Sequence, residues 1–234
     1  MIDVIVKSRE APQEILNAKR IGPGKFSHLR DNISYKKGTR MPTMPELVQL
    51  VYISLGNLEN DTARDVIHKM KRSWLVADTS VHYYPEVNSN FSQVRMVFED
   101  HPKIQNEKIV TPEFSELEKS LTIRENGIKH NKDRTIRMPY IFDIKKRDRD
   151  DLLEGFGMSI LTGLTKNMEN VNKLTWILNY FNEEPYFCAL PKINEPISRV
   201  AGLDYTDKKE HGRFIVVTSH VEDSKDGYTF SVKK

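Results

Sequence analysis

Ile197-Ser-Arg-Val-Ala-Gly-Leu203, Phe214-Ile-Val-Val217 and Tyr228-Thr-Phe-Ser-Val232 are three apolar runs in the closing stretch Glu195–Lys234. Each is short, and rich in β-branched or aromatic residues, so each predicts a strand. Two polar inserts separate them: Asp204-Tyr-Thr-Asp-Lys-Lys-Glu-His-Gly212 and Thr218-Ser-His-Val-Glu-Asp-Ser-Lys-Asp-Gly227. In the last run Tyr228, Phe230 and Val232 alternate with Thr229 and Ser231, the pattern of a hairpin partner with one buried face. A firm apolar frame therefore carries side chains that no interior position calls for.

The totals set the class. The chain has 234 residues, 38% hydrophobic and 29% charged, the composition of an ordinary globular protein with a proper core. A net charge of +3, built from charges of both signs, permits contact with nucleic acid or an anionic surface and requires neither. Cys188 is the single cysteine, set in the apolar run Tyr186–Leu190, so no intrachain disulfide exists and the thiol is expected to be a core residue. The opening Met1-Ile-Asp-Val-Ile-Val-Lys7 is too short and too acidic for a signal segment; it predicts a strand and a protein that is cytoplasmic as synthesised. No apolar run reaches the roughly 20 residues that span a bilayer, so no membrane insertion is expected.

Along the chain, Pro12–Lys19 predicts a short helix and Gly22-Pro-Gly24-Lys25 a turn. The turn is no phosphate loop, because the upstream glycine is missing and Phe26 stands where Ser or Thr would hold magnesium. Thr43-Met-Pro-Glu46 is the clearest helix start, a capping box with Pro45 in the first turn. That helix runs through Leu47, Leu50, Val51 and Leu55 to Gly56, and a second follows over Asp61–Lys71 with Ala63, Val66, Ile67 and Met70 on one face. Trp74–Ala77 is strand-like, and Val81–Tyr84 with Val94–Phe98 predicts an antiparallel pair about the loop Pro85–Ser92. Thr111-Pro-Glu113 starts a short helix to Leu121, residues 124–134 predict an exposed loop, and Ile136–Ile144 is extended. The charge run Lys145–Asp151 leads into a helix over 150–161, and another is expected over 168–181 with Val171, Leu174, Ile177 and Leu178 inward. A strand at 186–190 precedes the tail.

Catalytic and metal signatures are missing. The seven histidines show no HExxH or comparable spacing, no serine sits in a GxSxG elbow, and Gly155-Phe-Gly157 lacks the third glycine of a dinucleotide site. His211 and His220 bracket the Phe214 strand with acids nearby and could meet a metal, but exposed loop polarity is the stronger reading. The expectation is no enzyme, no metal and no cofactor.

Two segments carry a resemblance. Gly38-Thr-Arg-Met-Pro-Thr-Met-Pro-Glu46 resembles the Arg-Leu-Pro-Thr-x-x-Glu helix start of formylglycine-generating-enzyme-like domains. Arg199-Val-Ala-Gly-Leu203, a polar insert, a strand and Gly227-Tyr-Thr-Phe-Ser-Val232 resemble their closing pattern. The same frame occurs in the variable proteins of diversity-generating retroelements, archaeal and viral examples included, in which a reverse transcriptase rewrites codons near the gene's end. One cysteine cannot supply the paired thiols of the oxidase relatives, and the Gly-Gly-Ser-Trp signature is absent.

The resemblance implies an α+β, C-type-lectin-like fold with a mostly antiparallel sheet and two early helices; the additional central helices over 148–181 are read from the sequence itself and are not explained by it. It implies one elaborated domain over 1–234, with 196–232 as the binding region. The function it implies is that of a ligand-binding display protein, associated with a virion or cell surface, whose partner is a macromolecule, protein before nucleic acid. Exposed binding positions are expected at Tyr205, Thr206, Lys208, Lys209, His211, Thr218, Ser219, His220, Glu222 and Tyr228; their Tyr and small polar content suits an adaptable contact surface. Arg199, Leu203, Phe214, Val216, Phe230 and Val232 are expected to form the frame. The alternative is a basic nucleic-acid-binding accessory protein using Lys145–Arg149 and Arg134–Arg137.

Overall fold

The computed structural model describes residues 18–34, 38–86, 93–115, 122–125, 128–131, 135–139, 166–181, 185–187, 193–206, 213–220 and 225–233. In chain order these form β1 (Arg20–Gly24), α1 (Phe26–Ser34), β2 (Thr39–Arg40), α2 (Met44–Leu55), α3 (Asp61–Met70), β3 (Leu75–Glu86), β4 (Gln93–Asp100), β5 (Ile104–Gln105) and β6 (Lys108–Ile109). They continue with β7 (Thr122–Glu125), β8 (Ile128–Asn131), β9 (Thr135–Pro139), α4 (Met168–Phe181), β10 (Pro185–Phe187), β11 (Ile197–Thr206), β12 (Arg213–His220), β13 (Gly227–Phe230) and β14 (Val232–Lys233). The class is α+β, and most strand pairs are antiparallel.

Helix α2 begins where the capping box requires. The Thr43 N–H donates to Glu46 Oε2 at 2.8 Å, and its hydroxyl donates to the same oxygen at 2.9 Å. Arg40 grips that carboxylate with both ends of its fork, Nη1 lying 2.6 Å from Oε2. The Met44 N–H, one of the early donors that no helix can satisfy itself, donates to Thr79 Oγ1 of β3 at 2.9 Å and ties the helix start to the sheet. Helix α3 starts at Asn60, whose side chain accepts from the N–H groups of Thr62 and Ala63.

Strand β3 is the hub. It pairs with β11 along one edge; along the other it meets β13 at Leu75 and β4 from Thr79 to Glu86. The full path runs β1-β13-β3-β11-β12-β10, with β4 and β9 continuing beside β3. One face of this sheet meets α2, α3 and α4: Leu75, Ala77, Val81 and Tyr83 join Leu47, Val51, Met70, Leu174 and Ile177 in the main core. The other face meets α1, where Trp74, Val76 and Val200 join Phe26, Leu29 and Ile33. Because the sheet is covered on both faces, successive residues of β3 are buried on alternate sides. Helix α4 buries Val171, Leu174, Ile177 and Leu178, the inward set its spacing predicts, at about 1.5–3 kcal/mol each by transfer scale.

Several expectations change. Gly22-Pro-Gly24 is strand, not turn: β1 pairs antiparallel with β13, and Gly22, at φ +120°, lets the chains touch where a Cβ would stand 2.7 Å from Gly227 O. Leu75–Ala77 and Val81–Tyr84 belong to one strand, β3, with Trp74 just before it. Helix α1 has no counterpart among the predicted elements, although Phe26, Leu29 and Ile33 recur at helical spacing. Within 124–134, strands β7 and β8 flank Asn126-Gly127 as a hairpin rather than an exposed loop. The run Tyr228–Val232 breaks into two strands: β13 joins β1 and β3, while β14 pairs with β2. Thr229 and Ser231 are buried there with Phe230, so the expected alternation fails. Thr229 donates its hydroxyl to Val76 O at 3.0 Å, and Ser231 Oγ accepts from the Lys19 N–H at 3.0 Å; these bonds make the burial tolerable. The strand at 2–7, residues 12–17 of the early helix, the loop beyond Glu86, the helix beyond Ser115, residues 140–151, the helix at 150–161, Gly155–Gly157 and Cys188 lie outside the described residues.

Candidate ligand-binding surface

The tail is built on β11. From Ile197 to Leu203 this strand pairs with β3, ending at Leu203 opposite Leu75. From Val200 to Thr206 its other edge pairs with β12. Asp204, Tyr205 and Thr206 therefore run on past the end of β3, opposite Ile215, Phe214 and Arg213. Strand β10 pairs in parallel with β12 at Phe214–Val216, so the projecting part is a three-stranded arm, β11-β12-β10.

The base of the arm is fixed by packing. Val200, Ala201, Leu203 and Phe230 are all fully buried. Both β11 ladders shift register between Val200 and Gly202, and Gly202 sits where a Cβ would lie 2.5 Å from Leu75 O and 3.2 Å from the Trp74 ring. Only a glycine lets β11 press this closely on β3 at the point where the arm departs.

The predicted binding positions fall in three places. Tyr205 and Thr206 lie at one end of the β11–β12 ladder, opposite Phe214 and Arg213. His220, opposite Val200, lies at the other end with Ser219 and Thr218. Five residue steps of strand separate Arg213 from Thr218, about 17 Å at strand rise, so the ladder holds these as two groups. Tyr228 lies on β13, half-buried against the core, its N–H donating to Trp74 O at 3.0 Å and its ring 4.6 Å from Lys69 Nζ. Both polar inserts are shorter than the sequence suggests, because strand pairing extends to Thr206, over Thr218–His220 and from Gly227. Lys208, Lys209, His211 and Glu222 lie outside the described residues, as do Arg134 and Lys145–Arg149 of the nucleic-acid alternative; Arg137 pairs with Arg95 between β9 and β4. Of the frame residues, Arg199 and Val232 are half-buried, and Phe214 and Val216 stand opposite Tyr205 and Leu203.

Sequence reasoning missed a second polar feature. On the α1-side face of β3, Asp78, Ser80 and His82 succeed Trp74 and Val76, and all three are buried. Asp78 faces His101 Nδ1 at 2.7 Å and Arg30 Nε at 3.4 Å, which compensates a nearly inaccessible carboxylate. His82, fully buried, places Nε2 2.9 Å from Glu99 Oε2 and 2.8 Å from Ser80 Oγ, and Nδ1 2.7 Å from Ser198 Oγ. Ser198 in turn lies 2.7 Å from Thr111 Oγ1. Tyr84 ends the row. Burial, with the Glu99 and Glu113 carboxylates nearby, pushes its phenol well above the ordinary value, and it stays a donor to Pro112 O at 2.7 Å. The signal available in Ala77–Tyr84 is a strongly polar residue at every second position, Asp78, Ser80 and His82, which marks one face of the strand.

Among the described residues no three His, Cys, Asp or Glu side chains gather as a metal site, and no helix is long and apolar enough to cross a membrane. No protein-family model, curated protein or solved structure matches the chain.

Proposed function

We propose that this chain is a ligand-binding protein that displays its C-terminal strands from a C-type-lectin-like scaffold, in the manner of the variable proteins of diversity-generating retroelements. One observation carries the reading. Strand β11 runs on past the end of β3 directly after a base of fully buried residues, Val200, Ala201 and Leu203, and its continuation Asp204-Tyr205-Thr206 is polar or aromatic. Such a division lets the outer positions change without altering the fold beneath them. Pairing of the early strand β1 with the late strand β13, and the two helices α2 and α3 ahead of β3, also suit a lectin-like frame. The role is recognition of a macromolecule, a protein above all, with no chemical step.

The test is genetic. DNA flanking the gene is expected to hold a reverse-transcriptase gene and a second, nearly identical copy of the tail-coding segment, differing from it mainly at adenines of the copy. A flank without that copy, or with differences spread evenly over the four bases, removes the retroelement reading.

A further inference from the structure

We propose that the cleft beside Thr111 binds a small ligand bringing a hydrogen-bond donor on an apolar, ring-sized body. The cleft is open and measures about 620 Å³, the size of small-molecule sites in general. It lies at the start of β11, beside Asn194 and Pro196, whereas Tyr205 and Thr206 stand at that strand's far end. It is therefore a different site from the arm and does not rest on the display reading.

The argument is one of hydrogen-bond direction. The Glu99 carboxylate only accepts, so with one proton on the His82 ring that proton belongs on Nε2, 2.9 Å from Glu99 Oε2. Ser80 Oγ, 2.8 Å from the same nitrogen, accepts there too and sends its own proton toward Glu99 O at 3.4 Å. His82 Nδ1 is then an acceptor and takes the Ser198 hydroxyl proton at 2.7 Å. Ser198 Oγ, its proton committed, accepts from the Thr111 hydroxyl at 2.7 Å. Thr111, which lines the cleft, keeps only acceptor capacity on Oγ1, so a ligand that reaches that oxygen must bring the donor.

The rest of the lining agrees with an apolar body. Tyr84 and Phe114 meet edge to face, ring centroids 5.2 Å apart, and Pro85, Pro112 and Pro196 give rigid apolar walls. The Arg95 guanidinium lies 4.2 Å over the Phe114 ring, and Glu113 supplies the opposite charge. Among the described lining residues Arg95 and Glu113 carry the only formal charges, of opposite sign, so Thr111 decides the selection. A primary ammonium and a hydroxyl share the chemistry it takes.

The experiment is an amide chemical-shift titration of the full chain, on the alkaline side of the ordinary histidine range. The probes are phenethylamine, 2-phenylethanol and 3-phenylpropionate. The amine and the alcohol are expected to shift the Thr111, Phe114 and Arg95 amides saturably, with 3-phenylpropionate about tenfold weaker. Thr111→Val, which keeps the shape and removes the oxygen, is expected to abolish that preference. Ser198→Ala frees the Thr111 hydroxyl to turn and is expected to bring the carboxylate probe close to the alcohol; a melting curve shows that each variant is folded. Equal or tighter binding of 3-phenylpropionate to the unaltered chain overturns the proposal. So does an unchanged preference in folded Thr111→Val, or the absence of any saturable shift at these amides.

Discussion

Replacing Gly202 by alanine places a methyl group 2.5 Å from the Leu75 carbonyl oxygen and 3.2 Å from the Trp74 ring. Neither neighbour yields easily. The carbonyl belongs to the backbone of β3, and Trp74 is 4% exposed, held in the second core cluster. Relief requires β11 to move off β3 just where Leu203 pairs with Leu75. Overpacking of this kind costs about 1–3 kcal/mol. At about 2–4 °C per kcal/mol for a chain of this size, the melting temperature should fall by roughly 2–12 °C. Gly56→Ala is the control: Gly56 has φ −82°, and its nearest neighbour to an added Cβ is Ile53 O at 3.6 Å. That variant should melt within about 1 °C of the unaltered chain or slightly above it, since alanine narrows the unfolded ensemble. Gly227→Ala falls between, because its closest neighbour, Val76 Cγ2 at 2.6 Å, belongs to a side chain. Thermal unfolding followed by circular dichroism measures all three. A Gly202→Ala variant that melts with the unaltered chain refutes the close β11–β3 approach.

Glu46→Ala should lower stability by about 1–2 kcal/mol at neutral pH, the scale of a lost cap and its ion pair, as denaturant titration will show. Burial pushes the Glu46 carboxyl up, but hydrogen bonds from Arg40 and from the Thr43 N–H and hydroxyl outweigh it and hold the group below its ordinary value of 4.5. Its contribution is therefore fully present above that value and is lost as pH falls through the lower folded one, so the gap between the two proteins should close in acid. Thr229→Val removes a buried donor and strands Val76 O; unfolding should cost about 1 kcal/mol less, and equal stability would argue against the bond. His82→Ala leaves Glu99 and Ser198 without their shared partner, and about 1–3 kcal/mol of stability should go with it, read from the same titrations.

The local signals in the sequence that translated into structure are those whose chemistry is complete within a few residues. Thr43 and Glu46 cap α2 because both halves of the device lie in one turn. Val171, Leu174, Ile177 and Leu178 face inward because helical spacing leaves no other common face. The failures share a cause: the deciding partner is remote. Nothing near Gly22 tells that β13 lies against it, and nothing near Thr229 tells that Val76 O, 153 positions away, will take its proton. The row Asp78, Ser80, His82 was open to reading as every second position, but its partners Arg30, Glu99 with His101, and Ser198 come from three other segments. Around the tail, the apolar frame was legible at Leu203 and Phe230; the length of the strands was not, because pairing carries polar Tyr205, Thr206 and Thr218–His220 into the ladder.

Saturation substitution, scored for retention of fold by protease resistance, tests most directly the claim that a fixed base carries a changeable arm. Tyr205 and Thr206 of the arm, with Thr218, Ser219 and His220 at the other end of the ladder, are to be set against Val200, Ala201, Leu203 and Phe230. The predicted result is that most substitutions at the first group leave the chain folded, while polar substitutions at the second, fully buried group unfold it. Equal intolerance in both groups would make the arm part of the core and contradict the account.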